Sequence, residues 1–472
     1  MTANEAEGFS NETEVEMRTG TTWNDEYKSK TVTAQEAVKC VKSGDVVGFG
    51  LSLGSPTPHL VDALLDRADE LRGVRIIDAV PVRHMRLYDV EFMKSVKDSF
   101  TYSTYLFNPF NRNLAKAKLI DYQSTNSSDA GPRLGRLCNV AMVSVSPPQV
   151  GAVNLGLSNF LSPEMIRGAE VAIAEVNDQM PVVYGDNWMP VSDFDFFVEH
   201  SSPIPEFKRK GEPTEIESRI AEHVALHIRD GDCIQMGIGT LPEAIVRMLR
   251  DKGKKDLGVH TEMFPMGLPD LVKEGIVTNK LKNIHQGKTV ASFCMGDRNM
   301  YEFIARNPDC LFYPTSYINA PHVLRQLDNL VAINMDLEVD LMGQLNSERV
   351  DYRLVGASGG QLDFALGAAW SKGGRALNVL PSTRKLKNGQ VVSTVVPRLS
   401  PGAHVIVPHM YVQYVITEYG VADLYYKSMR QRADALIEIA HPDFRAELRK
   451  DVKWIFEGGA EEDILTRGGS VA

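Results

Sequence analysis

The chain reads as an α/β protein built from two similar open domains, each with a mainly parallel sheet, and a ligand site in the cleft between them. Three observations predict this. Short β-branched runs alternate with helical patterns, the signature of βαβ units. The runs are DVVGFG, VRIIDAV, VAMVSVS and VAIAEV in the first half, then CIQMGIG, LGVHTEMF, TVASFCMG, CLFYPT, LVAINMDLEVDL and HVIVPHM in the second. Several are apolar almost throughout, as strands covered on both faces must be. The chain also repeats itself: SGDVVGFGLSLGSPTPHLVDALL from Ser43 and DGDCIQMGIGTLPEAIVRML from Asp230 both read as Gly-Asp, apolar strand, glycine turn, proline and amphipathic helix.

The elements follow in order. Residues 1–24 are polar, acidic and aperiodic, and are expected to be a disordered tail. They carry neither a secretory h-region nor an Arg-rich transit pattern. Residues 25–205 form the first domain, 206–213 the linker within the proline-rich, charged SSPIPEFKRKGEP, 214–445 the second domain, and 446–472 a C-terminal helix and tail. The 472 residues carry a formal net charge of −10, which argues against nucleic acid as a partner because phosphate binding needs a basic surface. No stretch approaches the ~18 apolar residues of a membrane span. Five scattered cysteines without a C-x-x-C indicate neither a disulfide frame nor a zinc finger. The expectation is a soluble, cytoplasmic protein.

Several motifs bear on chemistry. Gly48-Phe-Gly50-Leu-Ser-Leu-Gly54 approaches a dinucleotide fingerprint, and Asp78 stands about where a ribose-binding acid would. Its spacing is non-standard, so a simple strand-to-helix turn is the stronger reading. Gly237-Ile238-Gly239-Thr240-Leu241 lacks a third glycine, yet backbone N–H groups at a helix start can hold a phosphate. His223 and His227 share a helix face without the glutamate of a zinc protease. Leu257-Gly-Val-His260-Thr-Glu262 is a strand pattern ending in a carboxylate, placed by βαβ geometry beside the Gly237 turn. An acid there can act as nucleophile or base, although in a random loop it would more often be a surface residue. In Gly356-Ala-Ser-Gly359-Gly360-Gln361-Leu-Asp363-Phe364, three glycines in five residues let backbone amides converge into an anion nest or oxyanion hole; a flexible loop is the plainer alternative.

Together these segments resemble the class I coenzyme A transferases of the acetyl-CoA hydrolase/transferase group, which includes 4-hydroxybutyrate CoA-transferase and butyryl-CoA:acetate CoA-transferase. The resemblance runs from about Tyr27 to Arg449. It is carried by Ser144-Val-Ser-Pro-Pro148, Ala174-Glu-Val-Asn177, Gln235-Met-Gly-Ile-Gly239, His260-Thr-Glu-Met263, Asp340-Leu-Met-Gly-Gln344, Gly359-Gly-Gln-Leu-Asp-Phe364, Pro381-Ser-Thr383, Thr417-Glu-Tyr-Gly420 and Ala440-His-Pro-Asp-Phe444. One departure stands out. After Ser-Pro-Pro the family carries an aspartate and a longer turn, whereas this chain has Gln149-Val150-Gly151, on the side that shapes the acyl cleft.

The resemblance implies that Glu262 is a nucleophile working through an acyl-glutamyl anhydride and a glutamyl-CoA thioester, with the Asn319 side chain and the Gly360 amide as oxyanion donors. It implies that Gly237, Ile238, Gly239, Thr240, Leu241, Gly356, Gly360 and Lys385 contact CoA, and that Gln361 and Glu418 support the site. CoA is then substrate and covalent intermediate, with no permanently bound cofactor and no metal. The partners are acyl-CoA and short-chain carboxylic acids, and a homodimer or tetramer is expected. Three rivals stay open: an acyl-CoA hydrolase using the same glutamate, a non-catalytic CoA-binding subunit, and a nicotinamide enzyme built on the Gly48–Gly54 turn.

Overall fold

The computed structural model describes residues 22–457 apart from 209–210, 238 and 351. Two large sheets dominate. The first has seven strands in the order Phe196–Glu199, Val171–Val176, Val140–Val145, Val46–Phe49, Val74–Asp78, Phe100–Thr104 and Asp121–Tyr122, paired parallel throughout. The second has six, in the order Gly258–Val259, Cys233–Met236, Leu330–Met335, Arg375–Val379, Tyr414–Thr417 and Gly420–Asp423. Only its last pair is antiparallel. The central runs VAMVSV and CIQM are buried at every residue, as strands covered by helices on both faces require.

Strand order decides where ligands can sit. In the first sheet Val46–Phe49 lies between strands reached in opposite directions, and in the second Cys233–Met236 does so. Such a switch point opens a crevice beyond the carboxyl ends of the strands. Each crevice holds one of the repeated glycine turns. After the first, Thr57 caps the helix Pro58–Leu65, whose opening proline has no N–H to lose. After the second, Gly239 at φ +124° leads into the helix Thr240–Asp251, a backbone state that L side chains rarely adopt.

Three expectations are corrected. HVIVPHM is no strand: Pro408 interrupts it, a single bridge joins Val407 to Leu345, and His409–Tyr411 is a short 3-10 turn. The tail is shorter than 1–24, because Thr22 and Asp25 form a capping box that starts a helix at Trp23; residues 1–21 lie outside the described residues. TVASFCMG and CLFYPT join neither large sheet. Thr289–Ala291 and Cys310–Phe312 pair with each other and with Tyr184–Gly185 of the first half, and Phe293–Cys294 pairs with Met263–Phe264. These short strands lie along the seam where the two halves meet. The five cysteines are free, and no helix among the described residues is long and apolar enough to cross a membrane.

Candidate active site

Glu262 sits on that seam rather than at the end of a long strand. The strand Gly258–Val259 runs beside Cys233–Met236; at His260 the pairing passes to Val290, and the next strand is Met263–Phe264. Thr261 Oγ1 donates to the carbonyls of Met236 at 3.1 Å and Met263 at 3.0 Å, tying the turn to the end of the central strand. The Glu262 carbonyl accepts from the N–H groups of Ser292 (2.9 Å) and Phe293 (3.3 Å). Two residues back, His260 is fully buried, and burial pushes its imidazole down to about 3. Its Nε2 lies 2.9 Å from the Ile318 carbonyl; the neutral ring therefore donates there and pins the short helix Thr315–Ile318 whose C-cap is Asn319.

The half-buried Glu262 carboxylate accepts a hydrogen bond from Asn319 Nδ2. Gly360 closes the same spot: a Cβ on it would run into Asn319 Nδ2 and Glu262 Oε2. Gly360 is the N-cap of the helix Gln361–Trp370, so its N–H lies outside the intrahelical ladder. Burial pushes the Glu262 carboxyl above the usual carboxylate range, while the bonds from Asn319 and the Ser127 hydroxyl pull it back. Its proton affinity is thus raised, which makes its carboxylate form the stronger nucleophile.

Glu262 faces a cavity of about 40 Å³ lined mainly by the first half of the chain: Leu51, Val80, Leu106, Ala130 and Phe160 meet Phe293 there, with Ser127 and Gly359 at the carboxylate end. At about 10–15 Å³ per water this is room for roughly three waters, the size of a very small carboxylate. Two wall residues are strained. Val80 has φ +54° and Phe160 φ +36°, values a β-branched or aromatic residue adopts only when its surroundings impose them, at roughly 1–3 kcal/mol each. A larger groove, about 420 Å³ beside Arg298 and Tyr301, contains none of these groups, and its Arg298 is paired to Glu206. Chemistry, not volume, selects the site.

Glu262, Asn319 and Gly360 therefore converge. The Gly237 turn lies at the crevice of the second sheet, beside an apolar slot of about 110 Å³ walled by Leu241, Ile245, Ile333, Met335 and Val379. Ile238 lies outside the described residues. The Thr240 hydroxyl is committed to Glu217, leaving its backbone as the part free to face a ligand. Gly356 has its N–H on the Glu348 carbonyl at 3.1 Å, and a Cβ there would come within 2.5 Å of the Ser347 carbonyl. Lys385 is exposed on the hairpin formed by Thr383–Lys385 and Val391–Ser393.

Glu418 is engaged by Ser382. Its buried carboxylate accepts from Ser382 N–H (2.9 Å) and Oγ (2.5 Å) at the base of the Lys385 hairpin, and among the described residues no hydrogen bond links it to Glu262, Asn319 or Gly360. Asp78 is likewise engaged, by the hydroxyls of Tyr88 (2.5 Å) and Tyr102, which removes the acid that a nicotinamide reading needs. The first glycine turn folds on itself, with the Gly54 carbonyl filling the space beside Gly50.

Gln361 donates from Nε2 to the fully buried Asp336 at 2.8 Å, and burial pushes that carboxyl up to about 8. A carboxyl raised in the folded protein binds its proton more tightly there than in the unfolded chain, so stability falls as pH rises between the two pKa values. Asp336→Asn is expected to unfold at a higher temperature than the parent, by a margin that grows from about pH 5 to pH 8 and then levels off; thermal unfolding across that range measures it.

The comparisons with known proteins identify the family. Residues 15–207 match the Acetyl-CoA hydrolase/transferase N-terminal domain and residues 296–452 its C-terminal domain. The chain belongs to the acetyl-CoA hydrolase/transferase family. Within this family it is 38% identical to the 4-hydroxybutyrate coenzyme A transferase of Clostridium kluyveri over 91% of this chain and 99% of that one. It is 34% identical to the butyryl-CoA:acetate CoA-transferase of Anaerostipes caccae over 91% and 97%. The structure of RipA from Yersinia pestis superposes with a TM-score of 0.83 at 33% identity, covering 92% of this chain and 99% of the other. The protein is accordingly an enzyme with the CoA-transferase fold.

Sequence reasoning passed over the first-half residues at the site. Ser127, Val80 and Phe160 carry no motif, and the Ser-Ser-Asp opening of the helix Ser127–Leu137 reads only as an ordinary helix start.

Proposed function

We propose that the enzyme moves CoA between a short-chain acyl-CoA (4-hydroxybutyryl-, butyryl- or acetyl-CoA) and a free carboxylic acid such as acetate, with Glu262 as covalent nucleophile. The observation that carries this is the Glu262 carboxylate, half-buried, held by Asn319 against the Gly360 turn, and facing a small cavity between the halves. The chemistry follows from a carboxylate so placed. A Glu262 oxygen attacks the thioester carbonyl, the π pair moves onto oxygen, and collapse breaks the C–S bond to give an acyl-glutamyl anhydride and CoA thiolate. The thiolate attacks the glutamyl carbonyl and expels the first acid as its carboxylate, leaving a glutamyl-CoA thioester. The second carboxylate attacks that thioester, and the released thiolate takes the new acyl group, restoring Glu262. No step needs a net proton.

Each tetrahedral intermediate places charge on an oxygen beside Asn319 Nδ2 and the Gly360 N–H, which reorganise little because packing already holds them. In this reading the Gly237–Leu241 turn, Ile238 included, meets CoA together with Gly356, Gly360 and Lys385; Glu418 supports the Lys385 hairpin and Gln361 the Gly360 turn. The domain boundaries near 206–213, the interdomain cleft, dimeric or tetrameric assembly and a cytoplasmic setting belong to the same proposal. Hydrolysis would use the same intermediates with water as acceptor. The cavity walls of Leu51, Val80, Leu106, Phe160 and Phe293 favour a carboxylic acid with an apolar tail over water.

Peptide mass spectrometry after incubation with butyryl-CoA and then borohydride tests the reading. Reduction of a glutamyl-CoA thioester turns Glu262 into an alcohol and lowers the mass of the peptide holding His260-Thr-Glu-Met263. An unchanged peptide after incubation with butyryl-, acetyl- and 4-hydroxybutyryl-CoA would contradict covalent transfer through Glu262. Thioester consumption that stays at the rate without acid when acetate is added would point to the hydrolase.

A further inference from the structure

We infer that Ser127 is a further catalytic residue, and that Asp363, acting through Ser128, is the positioning residue that keeps Ser127 on Glu262. The inference rests on Glu262 being the nucleophile. Ser127 and Ser128 open the helix Ser127–Leu137, which belongs to the first half of the chain. Ser127 is 4% exposed and lines the same cavity as Glu262, and its hydroxyl is among the groups that lower that carboxylate's proton affinity. Its N–H donates to the Gly359 carbonyl at 3.2 Å, so the serine and the glycine turn are held together directly.

One residue on, Ser128 donates twice to Asp363, from N–H to one carboxylate oxygen at 3.0 Å and from Oγ to the other at 2.8 Å. Asp363 itself lies in the first turn of the helix that Gly360 caps. The bridge joins positions 235 residues apart in the chain and ties the start of the Ser127 helix to the start of the helix that Gly360 caps. Glu262 thus meets a polar side chain from each half: Asn319, whose Nδ2 donates to it, from the second, and Ser127, on the shared cavity wall, from the first.

The chemistry gives this arrangement a use. Whenever CoA thiolate or an acid attacks the glutamyl carbonyl, a Glu262 oxygen becomes a tetrahedral oxyanion with three lone pairs. Asn319 can serve one; the Ser127 hydroxyl serves another, and a donor of that kind is worth about 10²–10³ in rate where it is preorganised. Preorganisation is firmest with Asp363 ionised, since the charge strengthens both bonds that its oxygens accept. The groups facing Asp363 are the carboxylates of Glu262 and Asp129, the latter paired to Arg133 at 3.0 Å. Burial first, and these two charges after the opposing Ser128 bonds, push Asp363 up to about 7. Below that pH the charge that strengthens both bonds is lost, the grip on Ser128 weakens, and kcat falls.

The test uses the full chain with butyryl-CoA and acetate. Ser127→Ala is expected to lower kcat about 10- to 100-fold with the KM for butyryl-CoA within about threefold, and Ser127→Thr, which keeps the hydroxyl, to recover most of it. Asp363→Asn is expected to lower kcat about tenfold at pH 8 and to flatten the kcat limb near pH 7, with Ser128→Ala doing the same while leaving the buried carboxyl in place. Wild-type kcat in Ser127→Ala overturns the catalytic role. A limb near pH 7 that persists in Ser128→Ala, or in an Asp363→Asn variant that melts like the parent, overturns the positioning role. Glu262→Gln separates the two levels: if it is inactive while Ser127→Ala is normal, the inference fails alone, and if it still forms the reducible thioester, the nucleophile assignment fails with it.

Discussion

Glu262→Gln is expected to lower kcat by roughly 10⁴- to 10⁶-fold, the range seen when a covalent nucleophile is removed. The amide has the same shape, and its oxygen can still accept from Asn319 Nδ2, so the turn held by Thr261, Ser292 and Phe293 has no reason to move. The loss should therefore be chemical. The melting temperature should stay within a few degrees of the parent, and CoA affinity by calorimetry within about threefold, because the Gly237 turn and its apolar slot, the proposed CoA contact, are untouched. Retention of more than about a tenth of the parent kcat would assign the nucleophile elsewhere. A variant that also loses CoA binding would place Glu262 in the CoA contact rather than in bond making.

Gly360→Ala is the second large effect, and it works by displacement. Gly360 has φ −93°, a value alanine adopts freely, so the backbone carries no penalty. The added methyl, however, would occupy the place where Asn319 Nδ2 and Glu262 Oε2 meet. Neither neighbour can retreat easily: Asn319 caps a helix pinned by His260, and Glu262 is tethered by its own carbonyl. The carboxylate is forced out of line with its donors, and kcat is expected to fall about 10²- to 10³-fold, the cost of a misplaced oxyanion contact. Gly359→Ala is the informative control. That residue has φ +52°, and a methyl added there would meet nothing within 4 Å, so the substitution brings left-handed strain of about 1 kcal/mol and no collision. Comparing kcat and thermal unfolding for the two variants separates steric displacement from backbone strain; equal losses of kcat would refute the displacement argument.

Much of the fold was legible because its signals are local. Apolar runs such as VAMVSV and CIQM announce buried strands, and Gly-Asp before a strand with glycine and proline after it announces the turn and helix of each repeat; both recur where expected. HVIVPHM shows the limit. Its apolar pattern satisfies a strand as well as an irregular segment packed on a core, and only the neighbours available to Val407 decide between them. TVASFCMG and CLFYPT carry the strand signal correctly, yet they pair with Tyr184–Gly185 and Met263–Phe264 rather than with the large sheets. Register between distant segments has no imprint on either run alone.

The same division runs through the site. By itself the sequence determined the α/β class, the repeated glycine turns at two switch points, and a short list of polar positions, because periodicity and turn chemistry act over a few residues. The family resemblance narrowed that list to Glu262, Asn319 and Gly360. Only the tertiary structure brought Ser127 and the Ser128–Asp363 bridge to the nucleophile, turned Glu418 toward Ser382, buried Asp336 under Gln361, and bent Val80 and Phe160 into a cavity wall. Those facts depend on segments far apart in sequence meeting at one seam, where burial and hydrogen bonding between the two halves, rather than any local preference, set the outcome.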